Sequence, residues 1–140
     1  MFEEAFITFD ETHDYLKLRG LPILVDPNDH AGIHIAVENL SNDLEKVTGH
    51  KPAVWTNIDQ TPVTGVILVG SLEKSLFIQK LVKDNTYAVD RMIGKWETFQ
   101  TSIEDSPWPA AEKLFVIAGS DKRGTIFGVY TLCEQLGVSP

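Results

Sequence analysis

The chain is poor in the residues that most directly announce a function. It has one cysteine, Cys133, among 140 residues. A lone thiol forms no internal disulfide, and a cysteine-based zinc site is excluded. With Leu132 and Leu136 as neighbours, Cys133 reads as a core thiol rather than a nucleophile. Bases are scarce too: 12 Lys and Arg stand against 20 Asp and Glu, a formal net charge of −8. Scattered bases in that balance leave no electrostatic footprint for DNA or RNA, and they disfavour an anionic membrane surface. Apolar runs stop at about five residues, far short of the ~20 that a membrane-spanning helix needs. The opening Met1-Phe2-Glu3-Glu4 has neither a basic region nor an apolar stretch, so it is not a signal peptide. The protein is expected either to stay inside the cell or to have lost a leader, and the compartment stays open.

What is present is ordinary globular material, 43% hydrophobic and 23% charged. The length fits one domain, residues 1–140, able to bury about two-thirds of its unfolded surface. Leu21–Val25 reads as a short strand, and Asp26-Pro27-Asn28-Asp29 as the turn after it. A helix over 31–48 follows from the stripe Ile33, Val37, Leu40, Leu44 and Val47, with Asp29 to cap its start and Gly49 its end. Ala53–Thr56 is a second short strand. Val66–Val69 is a β-branched run of the kind buried on both faces of a parallel sheet. Leu72–Val82 gives a helix that Ser75 and β-branched residues weaken. Trp96–Ile103 alternates as a strand, and Ser106-Pro107-Trp108-Pro109 breaks it. A second apolar run, Leu114–Ala118, precedes a helix over 124–136 with the stripe Ile126, Val129, Tyr130, Cys133 and Leu136, closed by Gly137. The order strand, helix, strand, strand, helix, strand, strand, helix predicts an α/β or α+β layer fold, a mixed sheet covered by about three helices. Val66–Ser71 and Phe115–Ser120 share one pattern: apolar strand, Gly, Ser, then helix.

Few residues suggest chemistry. Gly119-Ser120-Asp121-Lys122-Arg123-Gly124 lies between a buried strand and a helix, where backbone N–H groups favour anions. The spacing matches neither the dinucleotide fingerprint nor the phosphate-binding loop. The segment therefore reads as a tight turn or interdomain contact, with a small-anion site as the alternative. The histidines are His13, His30, His34 and His50; His30 and His34 are four apart, but the zincin glutamate and a third ligand are lacking, so two solvated histidines are expected there and no metal site. Asp26, Asp29, Glu97 and Asp121 are the acids nearest strand ends, yet nothing in their spacing makes a glycosidase pair. No cofactor is implied. Trp55 and Trp96 are expected to pack, and Trp108, between prolines, to be exposed and to meet another domain.

Leu114–Tyr130, continued by Glu134–Pro140, is long and specific, and it resembles the strand, loop and helix that close the N-terminal domain of glycoside hydrolase family 115 α-glucuronidases. Gly94-Lys95-Trp96-Glu97-Thr98-Phe99 is similar to that family's preceding strand, as is Ala31-Gly32-Ile33 with Leu40, Asp43, Leu44 and Val47-Thr48-Gly49. A looser pattern of Gly119, Gly124, Phe127-Gly128 and Leu132 resembles the domains before the barrels of family 67 α-glucuronidases and of hexosaminidases. Phe127 stands where the family pattern leads one to expect tyrosine, and the region before Leu21 matches little. The resemblance implies an accessory domain of an enzyme that removes glucuronic or 4-O-methylglucuronic acid from xylan. It implies a barrel beyond Pro140 carrying the catalytic carboxylates, so that no catalytic residue lies here. The implied partners are that barrel and, in the whole enzyme, glucuronoxylan. The loop Ser120–Arg123 is expected to border the cleft or the barrel, and Gly119, Gly124 and Gly128 to be structural. Since Gly124 and Gly128 are four apart, one face of the last helix is bare and can approach the sheet. A carbohydrate-binding module using Trp108 and the charged loop is the rival reading.

Overall fold

The computed structural model describes residues 20–58, 63–84 and 87–136. The elements run β1 (Ile23–Val25), α1 (Ala31–Thr48), β2 (Val54–Trp55), β3 (Val63–Ser71), α2 (Leu76–Lys83), β4 (Phe99–Asp105), β5 (Ala111–Gly119) and α3 (Lys122–Gln135). This is the predicted order. The strands form one sheet in the order β2-β1-β3-β5-β4. Every pairing is parallel except β4 with β5. The result is a mixed α/β sheet with helices on both faces.

The period-two alternation of side chains divides the core between those faces. From β3, Ile67 and Val69 join Ile23, Val25, Phe115 and Ile117 under α1 and α3. Val66 and Leu68 turn the other way and join Leu24, Leu114, Val116 and Ala118 against Ile78, Leu81, Val89 and Met92. Both central strands are therefore apolar without alternation, because each lies between two helical layers. In α1 the expected stripe is buried at Ile33, Val37, Leu40 and Leu44, and Gly49 ends the helix in the left-handed conformation at φ 80°. Among the described residues no helix is long and apolar enough to cross a membrane.

The structure moves three boundaries. α2 starts at Leu76, because the Ser75 hydroxyl accepts a hydrogen bond from Ile78 N at 3.3 Å. The serine expected to weaken this helix instead caps its start. β4 starts at Phe99, because Gly94 and Glu97 both take positive φ and turn the chain before it. α3 starts at Lys122, with Asp121 as its cap. Its stripe is also rotated: Tyr130 is exposed and accepts a hydrogen bond from Asn39 Nδ2 at 2.7 Å, while Leu132 is buried. Gly137 lies outside the described residues.

The rotation follows from two glycines. A Cβ on Gly124 would overlap the Thr98 carbonyl oxygen, and one on Gly128 would come within 2.8 Å of Ile117 Cγ2. Gly32 differs, since its nearest obstacle is the flexible end of Ile126, 3.1 Å away. Urea denaturation should separate these sites. Gly124→Ala is expected to cost about 3 kcal/mol, because backbone must move. Gly32→Ala is expected to be neutral or to stabilise by up to about 1 kcal/mol, since alanine favours the helix and Ile126 can shift.

Candidate functional site at the carboxyl edge of the sheet

In open α/β sheets, ligands bind beyond the carboxyl ends of the strands, where the strand order reverses. Here the chain leaves β1 outward to β2, and then returns to β3 and continues to β5. The reversal falls between β1 and β3. Asp26 and Asp29 lie there, both buried.

Their carboxylates are occupied by the chain itself. Asp26 Oδ1 accepts from Asn28 N and Oδ2 from Leu76 N, both at 2.8 Å. Asp29 Oδ1 accepts from His30 N and from Ser71 Oγ, and Oδ2 accepts from Ser71 N at 2.9 Å. Asp29 is thus not the expected side-chain cap of α1. It ties the turn after β1 to the end of β3, and His30 occupies the N-cap position without a side-chain capping bond. His30 Nε2 donates to Glu73 Oε1 at 2.8 Å. His34 Nε2 is buried with no hydrogen-bond partner among the described residues. No group of three His, Cys, Asp or Glu side chains able to hold a metal forms among the described residues.

The second strand–helix joint, after β5, repeats the device. Asp121 Oδ1 accepts from Gly124 N at 2.8 Å, and its Oδ2 accepts from Glu97 N at 3.0 Å. Ser120 N donates to Thr98 O, and Ser120 Oγ accepts from Thr98 N. Arg123 Nη1 donates to Glu97 Oε2 at 2.9 Å. Thr125 Oγ1 donates to Asp121 O, and Leu72 N donates to Gly119 O, which couples the two joints. A Cβ on Gly70 would meet Ser75, and one on Gly119 would overlap the backbone of Thr125. The Gly-Ser echo in the sequence marks this arrangement: the glycine admits the following helix turn, and the serine ties down a crossing loop.

The loop Ser120–Arg123 therefore has mixed roles. Ser120 and Asp121 are structural ties, while Lys122 and Arg123 are exposed. The amide that would receive a small anion at the start of α3, Gly124 N, already holds the Asp121 carboxylate. That occupancy weakens the anion-site alternative.

Two of the three tryptophan expectations need correction. Trp96 is 83% exposed instead of packed, because the left-handed Glu97 turns it out of line with β4. Trp108 is half-buried rather than exposed; its ring meets Phe77 edge-on, with centroids 5.7 Å apart. Trp55 packs against the same core. Sequence reasoning missed the role of Ser71 and the Glu97–Arg123 pair. The repeated Gly-Ser was a signal for the first, and nothing local marked the second. His13 lies outside the described residues.

Cys133 is buried, and burial first, then the neighbouring Asp43 side chain, pushes its thiol well above the ordinary range. A thiolate is the reactive form, so burial holds this group back from reaction.

The fold and this edge define an α/β domain whose likeness to known structures can be stated. No family model matches the chain, and no curated protein matches it. Among solved structures it is similar to a family GH115 4-O-methyl-α-glucuronidase with specificity for decorated arabinogalactans, at a TM-score of 0.63 and 24% identity. The match covers 86% of this chain and 14% of that one, so the chain spans a small fraction of that enzyme's length. The likeness shows the fold.

Two measurements test this site. Asp29→Asn turns an amide donor toward Ser71 N and should cost about 2–3 kcal/mol by denaturant titration, whereas Glu73→Gln, at an exposed pair, should cost less than about 1 kcal/mol. Cys133 should react with a thiol-disulfide reagent at pH 8 at least about a hundredfold more slowly in the native than in the denatured protein.

Proposed function

We propose that this chain is a non-catalytic accessory domain, spanning residues 1–140, of a multidomain glycoside hydrolase that removes glucuronic or 4-O-methylglucuronic acid from xylan. Its role is to brace a catalytic barrel carried beyond Pro140. The observation that carries this reading is the fold match: 86% of the chain is similar to only 14% of a family GH115 enzyme. The extended resemblance from Leu114 to Pro140 supports the same family independently of the fold.

The carboxyl edge supports the catalytically silent part. A glycosidase needs one carboxyl group to deliver a proton and a second to attack or to activate water. Asp26, Asp29 and Asp121 spend both oxygens on hydrogen bonds within the chain. Glu97 is paired with Arg123. Of the acids singled out near the strand ends only Glu97 faces water, through an oxygen not used by Arg123, and the other three supply no uncommitted second carboxylate.

The test is hydrolysis by the folded 140-residue protein. Incubation with glucuronoxylan and with decorated arabinogalactan should release no glucuronic or 4-O-methylglucuronic acid above the buffer control, as read by anion-exchange chromatography. Circular dichroism should show a folded α/β protein in the same sample. Release of either acid overturns the reading. A reading frame that stops at Pro140 in the gene also counts against it.

A further inference from the structure

The two edges of the sheet are unlike. β2 closes one with two residues, Val54 and Trp55. β4 forms the other with seven, in an unbroken register from Phe99 opposite Gly119 to Asp105 opposite Lys113. A long edge strand is an invitation to pair with another chain, and proteins commonly blunt it with proline, lysine, a bulge or a covering element. β4 has no proline, no lysine and no bulge, and its charges are confined to Glu104 and Asp105 at one end. Among the described residues no strand pairs with its outer side.

The bonds at its two ends fix which backbone groups face outward. Ser120 N donates to Thr98 O, and Ser106 N donates to Glu112 O. Opposite residues in an antiparallel ladder alternate between pairs that exchange both bonds and pairs that exchange none. The pairs bonded to β5 therefore fall at Gln100, Ser102 and Glu104. The N–H and C=O groups of Thr101, Ile103 and Asp105 point away from β5, and no backbone group of another described residue meets them. The Ile103 side chain, opposite Phe115, is 58% exposed.

We propose that β4 pairs antiparallel with β4 of a second copy of this chain, about a two-fold axis at Ser102, so that two five-stranded sheets join into one. In this register the outward-facing Thr101 stands opposite the outward-facing Ile103 of the other copy. The two exchange both backbone bonds, and symmetry repeats the pair. Ser102 meets its own copy at a non-bonded position, as the alternation requires. Charge selects the direction. Parallel pairing would bring the acidic end of one strand beside the acidic end of the other. The antiparallel register sets Glu104 opposite Gln100 and Asp105 opposite Phe99 of the other copy, so no like charges are opposed. The edge is thus complementary to itself, as a two-fold contact must be. The assembly also closes, because the edges left over are the two-residue β2 strands. Each copy carries a net charge of −8, which opposes the contact until salt screens it.

The experiment is sedimentation velocity of the 140-residue protein from about 10 µM to about 1 mM, with amide hydrogen exchange on the same samples. A monomer–dimer equilibrium is expected, tightened at least about threefold when sodium chloride rises from about 0.05 M to about 0.5 M. The amides of Thr101 and Ile103 should exchange more slowly as the dimer fills, while those of Gln100 and Ser102, bonded to β5 in either state, should not change. Ile103→Lys should weaken the dimer at least about tenfold with an unchanged circular dichroism spectrum, although it relieves charge repulsion. Ile35→Lys, at a similarly exposed position on α1, should leave the dimer as it is. A monomer at about 1 mM in high salt overturns the proposal. So does a dimer that Ile103→Lys leaves intact, one that slows no amide of β4, or a mass that keeps growing past two copies. The pairing does not rest on the accessory-domain reading, and none of these outcomes bears on release of uronic acid.

Discussion

The arrangement depends on two carboxylates that the fold takes out of water. Asp26 and Asp29 are 3% and 6% exposed, at the point where the sheet changes direction. A buried charge is costly unless it is compensated by donors. Here five donors meet it: the amides of Asn28, His30, Ser71 and Leu76, and the Ser71 hydroxyl. Those bonds fix the turn after β1 against the end of β3 and the start of α2. They join the helical layers on opposite faces of the sheet through its edge, something the two apolar cores, separated by the sheet, do not do alone.

The same bonds occupy the edge where such folds commonly take a ligand. In a doubly wound sheet the strand ends and helix starts present amides to an incoming anion. In this chain the carboxylates of Asp26, Asp29 and Asp121 already stand at Leu76, Ser71 and Gly124. The place where such a fold commonly binds its ligand is filled by its own side chains, and the groups left facing water lie on the rim.

Much of the fold was legible because it rests on local chemistry. The order of elements follows from apolar runs and periodicity, and α1 matches its predicted bounds because its stripe, its preceding turn and Gly49 all agree. Of the three misplaced starts, those at α2 and β4 turn on side-chain capping and on backbone conformation. Ser75 looks like a helix weakener until it is seen to cap, and Trp96 looks like a strand residue until Glu97 adopts positive φ. The site was less legible. Asp29 lies one residue before the helix N-cap and invites a capping role, but its partner Ser71 is 42 residues away. Pairing at that separation leaves no trace in spacing or composition. Trp108 misled for a similar reason: flanking prolines imply a surface turn, and the Phe77 ring that covers it comes from α2.

The antiparallel direction of β4 is the last piece. Phe99, at its start, pairs with Gly119, at the end of β5. A parallel strand in that position would begin at the opposite edge of the sheet, and the residues before it would be far from the β5–α3 joint. Reversal brings Gly94–Thr98 to the carboxyl edge, where Asp121 and Ser120 hold its backbone and Arg123 holds Glu97. Gly124 then has to be glycine, because the Thr98 carbonyl occupies the space of a Cβ. One reversed edge strand therefore accounts for the glycine at the start of α3, for the left-handed Glu97 beside it, and for a tryptophan standing out from the same corner.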